Sequence, residues 1–131
     1  MSLGNLFVHR NVANQVSQDD ESFATGLYYA LVHLKVKKVI IKGHTNCGGV
    51  AAAWDNNDEE ELVHWLSKVK ESFAKKEGNE HLTSEELSKL NVLKQVENVK
   101  NHPIYKKYGQ GVDVVGYLFH LESGELEELV S

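Results

Sequence analysis

The chain has 131 residues, 41% of them hydrophobic, with 19 acidic against 14 basic side chains and a formal charge of -5. That composition suffices for one core and one domain over residues 1–131, and it argues against nucleic acid as a partner, because no basic cluster interleaved with aromatics offers a footprint for phosphates. The longest apolar runs, such as Val39–Ile41 and Val114–Phe119, fall far below the roughly 20 residues that cross a bilayer, so no membrane partner is expected.

The N-terminus shows no basic region followed by an apolar stretch. Cys47 is the only cysteine, which excludes an internal disulfide and suits a reducing, cytoplasmic setting, although a cleaved organelle signal would leave no trace.

Leu3–Arg10, with Leu6, Phe7 and Val8 at its centre, reads as a buried strand running into a loop at Asn11 and Asn14. Asp19, Asp20, Glu21 and Ser22 supply an acidic helix start. Phe23, Leu27, Ala30, Leu31 and Leu34 then recur at helical spacing, which predicts a helix from about Ser22 to Lys35. Val39, Ile40 and Ile41 form a continuous β-branched run between charge and glycine, the pattern of a strand buried on both faces, so strand, helix and strand predict a parallel crossover.

After Gly48 and Gly49, Val50–Trp54 begins a short helix that breaks up at Asp55–Glu61, whose Asp58–Glu61 run reads as a solvated helix start. Leu62, Trp65, Leu66, Val69 and Phe73 mark the next helix, and a polar surface loop separates it from another that is capped at Thr83–Glu86 and reaches about Lys100. Pro103, the only proline, follows. Val112–Leu121 is a strand that turns through Ser123 and Gly124 into Leu126–Val130. The expected fold is α/β: a mainly parallel sheet of about four strands flanked by helices and ending in an antiparallel edge hairpin.

The sharpest chemical feature is Gly43-His44-Thr45-Asn46-Cys47-Gly48-Gly49, directly after the Val39–Ile41 strand. Ligand sites in open α/β sheets gather at the carboxyl ends of such strands. An imidazole and a thiolate three residues apart on a tight loop are preferred zinc donors, the glycines let the backbone turn sharply and approach a small ligand, and the start of the following helix favours a thiolate. A lone His-x-x-Cys is nevertheless more often structural than metal-binding.

The order and spacing of Leu6–Asn14 (Leu-Phe-Val-His-Arg-Asn-Val-Ala-Asn), Gly26–Leu31 and Val39–Val50 resemble the middle of β-class carbonic anhydrases, as do Asn91–Gln95, His102-Pro103 and Val114–Gly124. The resemblance implies a fold of that kind and a zinc cofactor held by one His and two Cys, with zinc-bound hydroxide attacking carbon dioxide to give bicarbonate. His44 and Cys47 match two of the ligands. The third belongs to a Cys-x-Asp-Ser-Arg motif, whose Asp and Arg form a pair, on a strand that comes before the Arg10-Asn11 segment; the sequence contains no such motif, so a truncated member is expected. That strand's place in the family's sheet is between the Leu6–Arg10 and Val39 strands, so those two either pair directly or leave a gap for another chain. Asn46 stands where the family commonly has Asp; with Asn11 it is a candidate for supporting the ligands, and Gly48 and Gly49 are candidates for backbone at the substrate.

A replacement donor would have to come from His9, His33, His64, His81, His102, His120, a carboxylate or a neighbouring chain. Among these His9 lies nearest the expected gap, and His33 reads as a surface or boundary residue. Trp54, Trp65, Tyr28, Tyr29 and Tyr117 read as core or interface aromatics. The resulting expectation is a carbonic anhydrase-like zinc protein, a homodimer or higher homo-oligomer, with carbon dioxide hydration weak or absent because a ligand and the Asp-Arg pair are missing. The alternative is a catalytically inactive paralogue that acts through homo- or hetero-oligomerisation. Thiol chemistry at Cys47 has least support, for want of a resolving cysteine or a matched base.

Overall fold

A computed structural model describes residues 6–73 and 82–129. The first helix, α1 (Glu21–Tyr28), opens where the Asp20 carboxylate accepts the Phe23 N–H at 3.2 Å. It continues through a wider π turn, Tyr29–His33, closed by the Leu34 N–H on the Tyr29 carbonyl, and Lys35 ends it with φ at 54°. The predicted helix therefore forms, with its last turn widened.

Next come β1 (Lys38–His44), α2 (Gly48–Trp54), α3 (Glu60–Lys70), α4 (Ser84–Lys100) and α5 (Pro103–Tyr108), then β2 (Asp113–Phe119) and β3 (Leu126–Leu129). β1 and β2 pair in parallel with Lys38 opposite Asp113 and His44 opposite Phe119, and β3 returns antiparallel along β2. The α/β class, a parallel pair and the closing antiparallel hairpin are thus as the sequence predicts. Val130, Leu3–Asn5 and most of the predicted polar loop (residues 74–81) lie outside the described residues.

Three readings change. Leu6–Arg10 forms no strand, so the sheet has three strands among the described residues instead of about four. A strand exists only where a neighbour accepts its hydrogen bonds, and here Phe7 packs against the Tyr29 ring and over Gly26 while Leu6 and Val8 face outward. The crossover between parallel strands consequently runs from β1 to β2 through α2–α5. Finally, β1 is covered on one face: Ile41 and Gly43 are buried, whereas Ile40 is 49% exposed.

α5 was not foreseen. Pro103 starts this helix, at a position where its missing N–H leaves nothing unpaired, and the His102 ring caps it by accepting the Ile104 N–H.

The core has two parts. Val16, Phe23, Leu27, Leu31, Ile41, Val92, Val96, Val99, Val114, Leu118 and Leu129 fill the space between the sheet, α1 and α4. Cys47, Val50, Ala53, Leu66, Val69, Phe73 and Leu87 join α2 and α3 to the near end of α4. α4 links the two, and it begins with the capping box that the sequence announces: the Glu86 N–H donates to Thr83 Oγ1 at 3.1 Å and the Glu86 carboxylate faces back to the Thr83 N–H.

Val92, fully buried, is where α4 meets the sheet. A Cβ placed on Gly43 would lie 2.5 Å from one Val92 methyl, and one on Gly116 would lie 2.7 Å from the other. Side chains are therefore excluded at both positions by the same valine. Gly43→Ala and Gly116→Ala should each lower unfolding free energy by about 1–3 kcal/mol through overpacking. Gly48→Ala, where a Cβ meets nothing, should change it by less than about 0.5 kcal/mol. Urea unfolding of the three variants checks this.

Candidate functional site

The candidate site is the loop at the carboxyl end of β1. His44, the last residue of the strand, is exposed, and its Nδ1–H donates to the Thr45 carbonyl at 2.8 Å. That bond fixes the tautomer and leaves Nε2 with a free lone pair, the usual arrangement of a metal-binding imidazole. Thr45 turns inward and is 2% exposed; its N–H donates to the Phe119 carbonyl at 2.9 Å. Asn46 takes φ at 55°, a left-handed conformation that asparagine tolerates better than most residues, and this reverses the chain. Cys47 then caps α2, buried and unbonded to another sulfur, with its carbonyl accepting the Ala51 N–H.

The two glycines differ. Gly49 packs tightly, since a Cβ there would lie 2.8 Å from a Val12 methyl and 3.1 Å from the Ala13 Cβ, whereas Gly48 borders open space. Asn11 directs its side-chain hydrogen bonds away from the loop: it accepts the Gln15 N–H at 2.6 Å and donates to the Gln15 carbonyl at 2.8 Å. It acts one step away, by shaping the turn that puts Val12 and Ala13 against Gly49.

Beneath that turn lies a buried set of amides. Gln15 donates to Asn91 Oδ1 at 2.8 Å and to the Ala13 carbonyl at 2.7 Å, Asn91 donates to the same carbonyl at 2.9 Å, and Gln95 accepts the Val16 N–H at 2.8 Å. Asn91 and Gln95, four residues apart among the buried residues of α4, are the sequence signal for this pairing.

Sequence reasoning missed the other side of the loop. In the turn between β2 and β3, Glu122 Oε2 accepts the Thr45 hydroxyl at 3.0 Å and Oε1 accepts from Asn46 Nδ2 at 3.4 Å, while Thr45 Oγ1 accepts the Leu121 N–H at 3.0 Å. Its own backbone amide and then the Thr45 hydroxyl hold the Glu122 carboxyl below its ordinary value. Nothing local in the sequence points to a pairing across 77 positions.

The candidate replacement donors lie elsewhere. The His9 ring stands edge-on to Phe23, His33 stacks on Tyr29, His64 is exposed on α3, and His102 is buried beside Phe23. His120 bonds to Glu127 at 2.9 Å and approaches Glu85, and His81 lies outside the described residues. Among the described residues no three His, Cys, Asp or Glu side chains are arranged so that they could hold a metal ion. His44 and Cys47 are therefore donors of the right chemistry for zinc but fill only part of a coordination sphere. Of the aromatics, Trp54 stands edge-on to Phe73, Tyr28 stands edge-on to Tyr108 and Trp65 donates to the Val12 carbonyl, whereas Tyr29 is exposed and the Tyr117 hydroxyl donates to Glu128. No helix among the described residues is long and apolar enough to cross a membrane.

The family model for carbonic anhydrase matches residues 1–126. A carbonic anhydrase of Emericella nidulans is 34% identical over 98% of this chain and 60% of its own length, and one of Candida albicans is 34% identical over 96% of this chain and 48% of its own. The chain thus spans about half to three fifths of the length of these curated relatives. Among solved structures, a Coccomyxa β-carbonic anhydrase in complex with acetazolamide superimposes with a TM-score of 0.90 at 32% identity, over 100% of this chain and 64% of its own. A structure of tetrameric β-carbonic anhydrases from Sordaria macrospora gives 0.86 at 31% identity, over 100% of this chain and 71% of its own.

His102 yields a pH prediction. Its Nδ1 accepts the Ile104 N–H, its Nε2 is buried without a partner among the described residues, and burial holds its pKa below the ordinary 6.5. The unfolded chain takes up a proton at pH values where the folded chain refuses one. Its contribution is therefore complete above pH 6.5 and is lost as pH falls from there through the depressed folded value, with a slope of at most about 1.4 kcal/mol per pH unit. His102→Asn keeps a capping acceptor and should remove that part of the slope, as read from urea unfolding between about pH 5 and 7.

Proposed function

The chain belongs to the β-carbonic anhydrase family, and on that premise we propose that it is a zinc-binding carbonic anhydrase domain serving the reversible hydration of carbon dioxide to bicarbonate. The observation that carries the reading is His44: its Nδ1–H is committed to the Thr45 carbonyl, so Nε2 is presented on the same loop that carries the unpaired Cys47. These two residues would hold the metal. Zinc, when bound, supplies the Lewis acidity that activates water at neutral pH.

The chain's own residues do the positioning. The Thr45 carbonyl fixes the imidazole tautomer, Asn46 makes the reversal that brings Cys47 round after His44, and Gly49 seats the loop against Val12 and Ala13. The open space beside Gly48 leaves room for a small linear substrate. Two protein ligands leave zinc with more exchangeable positions than a catalytic site tolerates. In this reading a third donor comes from beyond the described residues, from another segment or another copy, and a homodimer or higher homo-oligomer in the cytoplasm is its setting.

One observation favours a second reading, a catalytically inactive relative that acts by association: among the described residues no third side chain joins His44 and Cys47 in a group that could hold a metal ion. Zinc analysis separates the two. The first reading expects about one zinc per chain, at least tenfold less in His44→Ala and Cys47→Ser, and carbon dioxide hydration that falls in step. Metal-free protein that still self-associates in sedimentation experiments would support the second.

A further inference from the structure

Glu122 sits outside the loop, yet its carboxylate takes up hydrogen bonds from two consecutive loop residues, Thr45 at 3.0 Å and Asn46 at 3.4 Å. Its own place is fixed. The turn that carries it is closed by the His120 N–H on the Glu125 carbonyl and by the Gly124 N–H on the His120 carbonyl, each at 2.8 Å. The adjacent Leu121 N–H donates to the same Thr45 hydroxyl that donates to Glu122. Thr45 is thereby gripped three ways by one hairpin, since its N–H also bonds to Phe119.

The loop needs such a grip. Its reversal depends on a single left-handed residue, Asn46, set between the two donors. A residue in that conformation is disfavoured on its own and persists when its surroundings hold it. Glu122 holds the Asn46 side chain and the Thr45 hydroxyl at once, so the spatial relation of His44 to Cys47 is tied to the β2–β3 hairpin. With both carboxylate oxygens engaged, Glu122 is not itself a free donor.

We infer that Glu122 is a positioning residue that locks the His44–Cys47 loop in its metal-receiving shape through Thr45 and Asn46. In relation to metal this rests on the zinc reading above; in relation to loop order it does not. The experiment has one arm for each.

Cys47 is the only cysteine and is 6% exposed, so its alkylation by iodoacetamide in metal-free protein reports loop opening without ambiguity. Glu122→Ala and Thr45→Val should each raise the alkylation rate about tenfold while leaving the urea midpoint of global unfolding nearly in place, as expected for local opening. Glu122→Gln keeps an acceptor for the Thr45 hydroxyl and should stay within about twofold of wild type, as should Glu125→Ala on the same turn.

In the second arm, cobalt(II) is titrated while its thiolate charge-transfer absorption is followed. Glu122→Ala should bind about 10–100-fold more weakly, the range seen when residues that orient metal ligands are lost, with Glu122→Gln in between. Wild-type alkylation rates in Glu122→Ala and Thr45→Val would overturn the inference. If wild-type protein binds no cobalt, the zinc reading fails, and the alkylation arm still decides whether Glu122 orders the loop.

Discussion

The structure depends on the buried amides that fasten residues 11–16 to α4. The Ala13 carbonyl receives hydrogen bonds from both Gln15 and Asn91, and the Val16 N–H ends on Gln95. Ala13 and Asn14 have φ at 62° and 45°, so this turn is backbone that would not hold its shape alone. Side chains that are almost completely buried cannot fall back on water if a partner is lost, which makes the arrangement close to all-or-none. The Ala13 and Val12 side chains in turn form the surface on which Gly49 rests. A path of contacts thus runs from α4 through the turn to the loop bearing Cys47, while the hairpin after β2 reaches the same loop from the opposite side.

Much of this was legible because it is local. Asp20 before Phe23, Thr83 three residues before Glu86, and the β-branched run ahead of Gly43 each declare an element through nearest neighbours. The His-x-x-Cys loop was legible for the same reason. What the sequence hid depends on neighbours that are distant in the chain. Leu6–Arg10 has the composition of a strand, but strand formation is decided by pairing, and this segment does not pair with β1, whose other side is an edge of the three-stranded sheet among the described residues. Ile40 resembles its buried neighbour Ile41, and only the arrangement of layers tells them apart. Pro103 reads in sequence only as the residue type that follows a helix, and it begins α5. Thr45 and Glu122 carry no mutual signal, being brought together only by the parallel pairing that sets His44 opposite Phe119.

The layout also separates tasks. The apolar cluster under the sheet fixes β1 and β2, and the smaller cluster that includes Cys47 fixes α2 and α3. His44 lies at the end of one and Cys47 inside the other. Any ligand that bridges the two side chains therefore bridges the two clusters, so its binding would be felt as added stability across the whole fold and not only at the loop.

The contact of Val92 with Gly43 and Gly116 has a consequence for how this chain can change over generations. One valine forbids a side chain on two different strands, so the three positions cannot vary independently. A lineage that acquires alanine at 43 or 116 avoids the overpacking cost if a smaller residue at 92 comes first or at the same step, whereas the reverse order passes through a crowded intermediate. Along that line of descent the loop after β1 is shielded from drift by a residue on α4: the glycine directly before His44 can be replaced without crowding only after Val92 has given way.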